Sequence, residues 1–427
     1  MNYKEARNYV EEFAKKGIVL GLESIKNLLD ELDNPQEKLQ FIHIAGTNGK
    51  GSVLAFISTI METAGYITGR YISPTVLTYR ERIQVNRQNI PKEDYAIHVV
   101  KVKDAIMRLI AQEKPIPSVF EIETAIAFLH FLSTDCDIVV METGMGGISD
   151  ATNIVKNTLA CVITSVSRDH MEFLGESLEE LTLAKVGIIK AGASVIYGNL
   201  PQVSVGIIDQ RCCDLGCTIF RVDFESVVTN ADSELCAQCF DYGDLSNLKI
   251  RLLGGHQCHN AALAISAVRS LGGSGFCVSD DDIRCGLAMT EWYGRLTVVR
   301  EENPVIIVDG AHNIEAATAL RATLKDKFSH KVVAGVMGVF KDKEVNEILL
   351  ALKDIFSQLH TITLPNEMRS LSGEVLAQMA ENIKISATYH DNLSEAIKAA
   401  SVASDVVVVF GSLSHLKDVL HCELVNK

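Results

Sequence analysis

The sequence predicts an α/β protein of two domains, residues 1–293 and 294–427. Three observations predict it. Apolar runs of strand length, such as Phe41–Ala45, Asp137–Met141 and Thr158–Thr164, are separated by longer segments with helical spacing. At 427 residues the chain is long for a single hydrophobic core. From Val298 onward the alternation of strand and helix starts afresh, after a stretch of different texture at Thr218–Leu253.

Composition narrows the function classes. Apolar residues make up 47% and charged residues 22%, which is ordinary globular composition. The net charge of −14 argues against a general nucleic-acid or membrane-surface binder. An anionic substrate would need local positive charge from lysine, arginine or metal. Met1–Lys16 mixes charged and apolar residues and is no signal peptide, and no apolar run approaches a membrane span. The cytoplasm is the expected compartment. Eleven scattered cysteines do not form a secreted disulfide framework. Cys236-Ala237-Gln238-Cys239 has zinc-knuckle spacing, with buried free thiols as the plain alternative.

The first domain is organised around Phe41–Gly65. A short buried strand leads into Gly46-Thr47-Asn48-Gly49-Lys50-Gly51-Ser52, and an apolar helix follows to about Ala64. Glycines let successive backbone N–H groups point inward, and the helix N-terminus and Lys50 add positive charge. This is a phosphate cradle, with Ser52 placed to reach Mg²⁺. The general P-loop has four residues between its glycines and Ser or Thr directly after Lys; here two residues separate Gly46 from Gly49, and Gly51 precedes Ser52.

Later segments place polar groups at strand ends. Arg70-Tyr71-Ile72-Ser73-Pro74 ends a strand in a turn, the place where α/β sheets bind ligands. Tyr79–Asn86 follows as a polar stretch, and its Arg80 and Arg82 could be a solvated face or, by the resemblance given below, part of a motif. Asp94–Gln112 reads as a helix, and Ser118–Leu132 as a strongly apolar one opening with Phe120-Glu121. Glu142 stands at the end of the Asp137–Met141 strand, ahead of Thr143-Gly144-Met145-Gly146-Gly147 and Asp150-Ala151-Thr152-Asn153. A carboxylate there is well placed to hold Mg²⁺ against a triphosphate. Ser165-Val166-Ser167-Arg168-Asp169-His170 follows the Thr158–Thr164 strand, and Lys185 lies in Thr182–Gly192. Alternation at Thr218–Val222, Glu234–Phe240 and Leu248–Leu252 predicts a small antiparallel insert. In the second domain, strands are expected near Val305–Asp309, Lys331–Met337, His360–Leu364, Ile383–Tyr389 and Asp405–Phe410.

These motifs, in this order across the whole chain, resemble the folate branch of the Mur ligase superfamily, the folylpolyglutamate and dihydrofolate synthases. The resemblance implies a P-loop NTPase-like first domain, with mostly parallel sheet, and a Rossmann-like open α/β second domain. It implies ATP and Mg²⁺. ATP would lie on Gly46, Thr47, Asn48, Gly49, Lys50, Gly51 and Ser52, with Asn260 on the adenine side, or alternatively a helix cap. Arg295, beside the expected joint at Trp292–Leu296, would reach the phosphates; Asp309, in Asp309-Gly310-Ala311-His312-Asn313, would hold the ribose or help close the cleft. Ser73, Glu142, His170 and a carbamylated Lys185 match the family's metal site. Phe120, a core aromatic in the plainer reading, matches the pterin side together with Asp150 and Ala151. His312 and Ser412 match the glutamate side. Lys50, Lys185 and His312 would carry the catalysis.

The reaction implied is ATP-dependent addition of L-glutamate to a folate, to dihydropteroate, or to both, through an acyl phosphate, in folate biosynthesis and one-carbon metabolism. The expected partners are these small molecules, without nucleic acid or membrane, and the expected state is a monomer. Two other readings stand beside it: an amino-acid ligase of cell-wall synthesis, and a P-loop NTPase switch that ligates nothing.

Overall fold

The computed structural model describes residues 1–17, 21–169, 171–230, 234–365, 368–420 and 422. They divide into two compact units: residues 1–227 with 259–289, and residues 228–258 with 290–427. The fold is α/β throughout, as the sequence implies.

The first unit is built on a sheet of eight strands among the described residues: β1 Phe41–Ala45, β2 Thr68–Tyr71, β3 Ile83–Val85, β4 Gln88–Asn89, β5 Ile138–Glu142, β6 Thr158–Ile163, β7 Ser194–Tyr197 and β8 Thr218–Arg221. Their order is β4-β3-β2-β5-β1-β6-β7-β8. The pairs from β2 to β8 are parallel; β3 and β4 close one edge antiparallel. Strands β1 and β5 are fully buried, and apart from His43 and the terminal Glu142 they read as apolar runs because helices cover both faces.

The Lys50–Thr63 helix is apolar all round, and every residue from Gly51 to Met61 is buried. Such a helix needs cover on more than one side. The Asp280–Met289 helix supplies part of it: a Cβ at Gly286 would lie 2.6 Å from the Ile60 Cα, so only glycine permits that approach. A second layer packs the Lys92–Ala111 and Val119–Ser133 helices over Phe41, Tyr71, Val139 and Met141.

One expectation is corrected. Thr218–Val222 was expected in the antiparallel insert, but β8 pairs in parallel with β7. Alternation marks a strand without fixing its partner. The Gln202–Leu215 helix between β7 and β8 is a crossover, and a crossover returns the chain in parallel. The insert itself is the smaller sheet β9 Val228–Thr229, β10 Gln238–Tyr242 and β11 Leu245–Ile250, antiparallel in the order β11-β10-β9.

The insert falls in the second unit. That unit's main sheet comprises β12 Thr297–Arg300, β13 Val305–Val308, β14 Val333–Met337, β15 Gln358–Thr361, β16 Ala387–Tyr389 and β17 Val406–Phe410. Its order is β12-β13-β17-β14-β15-β16, parallel except for β12. The last strand thus lies between the first two parallel ones. This brings the turns after β13 and β17 side by side. No helix among the described residues is long and apolar enough to cross a membrane.

Candidate active site

In the first unit the candidate groups stand at the carboxyl ends of four neighbouring strands, β2, β5, β1 and β6. Ile44 of β1 is in register with Glu142 of β5, so the loop that begins at Gly46 rises beside that carboxylate. The chain order reverses around β1, the kind of crevice where open sheets bind ligands.

The loop is fixed by residues to which the sequence assigned no role. Thr164 Oγ1 donates to the Asn48 carbonyl at 2.5 Å, and Asn48 N donates to Ser165 Oγ at 2.9 Å. Thr47 Oγ1 donates to the Ser167 carbonyl and accepts from Ser167 N, both at 3.0 Å. Hydroxyls just past a parallel strand were the signal available. Gly49 caps the helix with φ +84°, a left-handed turn that favours glycine. The helix begins at Lys50, three residues earlier than the apolar run suggests, so Gly51 and Ser52 sit in its buried first turn. Lys50 Nζ donates to the carbonyls of Gly46 at 2.8 Å and Thr47 at 3.2 Å, which holds its charge over the loop.

Asn260 is inside the Gly255–Ser270 helix rather than at its cap. Its Oδ1 lies 2.7 Å from where a Cβ at Gly49 would stand, so this side chain reaches the phosphate loop.

Glu142 is buried, and its Oε1 accepts from Ser73 N at 2.8 Å. Ser73 Oγ is buried and has no hydrogen-bond partner among the described residues. An orphaned hydroxyl beside a carboxylate forms a set of hard oxygen donors, the kind Mg²⁺ takes. The residues therefore fit that ion. Among the described residues, no three His, Cys, Asp or Glu side chains come together as a metal site. His170 lies outside the described residues.

Lys185 is buried near the end of the Leu178–Val186 helix. The glycine loop after Glu142 is seated on that end: Ile148 N donates to the Ala184 carbonyl at 2.7 Å. A Cβ at Gly147 would lie 2.8 Å from the Ala184 oxygen and 2.9 Å from the Lys185 oxygen.

Phe120, Gly144 and Asp150 come together. A Cβ at Gly144 would fall 2.8 Å from Phe120 Cζ and 3.2 Å from Asp150 Oδ2. Burial pushes the Asp150 carboxyl up, while hydrogen bonds from Thr152 Oγ1 and three backbone N–H groups pull it back. Asp150 thereby organises the loop: Oδ2 accepts from Met145 N at 2.9 Å, and Oδ1 accepts from Thr152 Oγ1 at 2.5 Å. Thr152 is in turn 2.9 Å from His43 Nε2. Ala151 is buried in the short 3₁₀ helix that follows. Lys190 Nζ reaches Asn153 Oδ1 at 2.8 Å and steadies the same segment.

The second unit gathers its candidates at the ends of β13 and β17. Asp309 Oδ1 accepts from Ala311 N and Oδ2 from Leu296 N, both at 2.8 Å. Burial raises its carboxyl, and the Arg295 guanidinium pulls it down. A Cβ at Gly310 would lie 2.6 Å from Leu413 Cδ2 and 2.8 Å from Arg295 Nη1. That close approach gathers Arg295, Gly310 and the Ser412-Leu413 turn. His312 Nδ1 donates to the Gly310 carbonyl at 2.7 Å, and Ser412 Oγ is 2.8 Å from Ser414 Oγ.

Known proteins share this arrangement. Residues 44–268 match the family description Mur ligase middle domain, and residues 294–413 match Mur ligase, glutamate ligase domain. A Bacillus subtilis protein named dihydrofolate synthase/folylpolyglutamate synthase is 32% identical over 98% of each chain. This chain belongs to the folylpolyglutamate synthase/dihydrofolate synthase family of Mur ligases. A Mycobacterium tuberculosis folylpolyglutamate synthase, solved with ADP and AMPPCP, superposes with a TM-score of 0.88 at 28% identity, covering 100% of this chain and 99% of that one. An Escherichia coli structure in complex with DHPP and ADP gives 0.86 at 28% identity, covering 99% and 97%. In this folylpolyglutamate synthase-type chain the middle-domain match takes in the phosphate loop, Ser73, Glu142, Lys185 and Asn260. The glutamate-ligase match takes in Arg295, Asp309, His312 and Ser412.

Proposed function

We propose that this chain is an ATP-dependent ligase that joins L-glutamate to a folate or to dihydropteroate, releasing ADP and phosphate. The observation that carries the site assignment is the buried Ser73 hydroxyl beside Glu142, without a partner among the described residues, at strand ends next to the phosphate loop. The ligand-bound relatives support ATP as the nucleotide.

An amide does not form from a carboxylate and an amine in water without activation. The acceptor carboxylate attacks the γ-phosphorus of ATP and becomes an acyl phosphate, and ADP departs. Two anions must meet for this step. The loop N–H groups, the start of the Lys50–Thr63 helix and the Lys50 ammonium stabilise the charge that moves onto the β- and γ-phosphate oxygens. Ser73, Glu142 and His170 would hold Mg²⁺, with Lys185 as a further ligand if carbamylated. When bound, the ion supplies Lewis-acid neutralisation of the phosphate oxygens.

The glutamate amine then attacks the acyl carbon, and phosphate leaves. His312 Nδ1 donates to the Gly310 carbonyl, which fixes the orientation of the ring. That suits His312 to place the amine, with Ser412 on the glutamate side. Phe120, Asp150 and Ala151 form the acceptor-ring side, Asp150 by shaping the loop that Phe120 touches. Asp309 fixes the turn that carries Arg295. The enzyme acts as a cytoplasmic monomer on small molecules only.

Phosphate release, measured side by side with dihydropteroate and with tetrahydrofolate, each with glutamate, tests the reading. Release that requires both acceptor and glutamate is expected. Release independent of glutamate would point to an NTPase switch, and release with UDP-sugar acceptors alone would point to cell-wall chemistry.

A further inference from the structure

One of the two sequence readings of Arg82 is a solvated face, but its side chain is only 15% exposed. Its Nε lies 2.7 Å from Glu123 Oε2, and Glu123 is 2% exposed. The other oxygen of that carboxylate is 3.8 Å from Arg7 Nη1. Arg7 lies on the Tyr3–Glu11 helix, its Cζ 2.9 Å from the centroid of the Tyr79 ring and its Nη2 2.6 Å from Glu11. A line of alternating basic and acidic side chains therefore runs from Glu11 at the surface through Arg7 and Glu123 to Arg82, with burial pushing the Glu123 carboxyl up to about 8 against the pull of Arg7.

The line ends on the candidate acceptor site. Arg82 Cζ sits 5.8 Å from the centroid of the Phe120 ring. Phe120 and Glu123 are three residues apart on one helix, so they share a face. One guanidinium thus touches both, its edge on the carboxylate and its cationic centre over the ring. Other contacts complete the seat of Phe120. Tyr71 packs 5.9 Å away, and Thr124 Oγ1 donates to the Phe120 carbonyl at 2.8 Å. Arg82 also ends the segment that begins at Ser73. Glu81 folds that segment by accepting from the backbone N–H groups of Val76, Leu77 and Thr78.

A buried ion pair adds little net stability compared with apolar side chains of the same shape. Two guanidiniums around one buried carboxylate are thus a poor means of holding a core together. They are a good means of fixing one ring in one orientation. We propose that Arg82 is a positioning residue for the acceptor, acting through Phe120 and held in place by Glu123 and Arg7. The ligand concerned is the flat aromatic ring system of a pterin-bearing acceptor. The inference rests on the folate or dihydropteroate reading of this site.

Steady-state kinetics of the full-length enzyme with dihydropteroate or tetrahydrofolate test it. Arg82→Lys keeps the charge and loses the planar face. It should raise the acceptor KM about tenfold, with kcat at saturating acceptor and the KM for ATP within about twofold of wild type. Glu123→Gln keeps the shape of the side chain that steadies Arg82, and it should give the same split; it serves if Arg82→Lys does not fold. In a Phe120→Leu background either change should add less than about twofold to the acceptor KM, because the ring through which it acts is gone. An unchanged acceptor KM would overturn the proposal. So would equal losses in kcat and in ATP affinity, or effects that simply multiply in the double variant. Wild-type enzyme that releases no phosphate with any pterin acceptor fails differently: it removes the functional reading itself, and this inference with it.

Discussion

The phosphate loop of the first unit and the Asp309 turn of the second both cap a parallel strand, and they are built in opposite ways. The loop is shaped by main chain and hydroxyls: Thr164, Ser165 and Ser167 hold it from the neighbouring strand end. Its carboxylate neighbour, Glu142, sits beside a hydroxyl that has no partner among the described residues. In the Asp309 turn the carboxylate is itself the scaffold, with both oxygens taken by backbone N–H groups. The comparison teaches that an acidic residue at a strand end is not one kind of part. Glu142 stands beside a buried hydroxyl, and Asp309 braces the turn that carries Gly310 and Arg295.

Substitutions can break or sharpen that contrast. The largest effect belongs to Lys50→Ala, which removes the one full charge on the loop and should cost roughly 10³-fold in kcat with little change in Tm. Ser73→Ala comes next. If its hydroxyl serves a metal, the Mg²⁺ concentration for half-maximal activity should rise about tenfold or more, read by titration and by Mg²⁺-dependent nucleotide binding. Asp309→Asn should behave in the reverse sense. An amide offers one acceptor where two N–H groups need one each, so about 2 kcal/mol of stability should be lost in denaturant melts. Lost turnover with an unchanged melt would instead make Asp309 a ligand, and the contrast would fail.

Acid tolerance separates the units on a smaller scale. Burial holds His43 in the first unit at about 3, and His360 in the second at about 4. In the unfolded chain both bind a proton near the ordinary histidine value of about 6.5. Below that value the unfolded state takes up protons that the folded state refuses. Stability is therefore full above about pH 6.5 and falls toward acid, by at most about 1.4 kcal/mol per pH unit for His43, until pH nears its folded value. His43→Gln should flatten that part of the acid limb in chemical melts recorded from pH 7 to 4. The smallest effect is expected at Asn313, whose Oδ1 accepts from Ala316 N and caps a helix of the second unit. Asn313→Ala should cost about 1 kcal/mol and leave the acceptor KM unchanged.

Much of the site was legible because its parts are local. Gly46–Ser52, Glu142 with its glycines, and Asp309–Asn313 each follow a strand within a few residues, and strand ends are where α/β sheets work. The supports were not legible, because they come from far along the chain. Thr164 meets Asn48 across 116 residues, and His43 meets Thr152 across 109. The burial of Arg82 was not legible for the same reason: no spacing near residue 82 announces a buried partner at Glu123. The direction of β8 was also missed, since alternation looks alike in parallel and antiparallel strands.

By itself, then, the sequence determined the class of fold, the phosphate loop and the family, because these depend on short-range order: hydrophobic period, glycine placement and the residue that follows a strand. Tertiary structure alone decided which carboxylate has both oxygens taken by backbone N–H groups, and which arginine is buried. Those outcomes depend on what desolvates each charge and what pairs with it, and the groups responsible lie on other strands and helices.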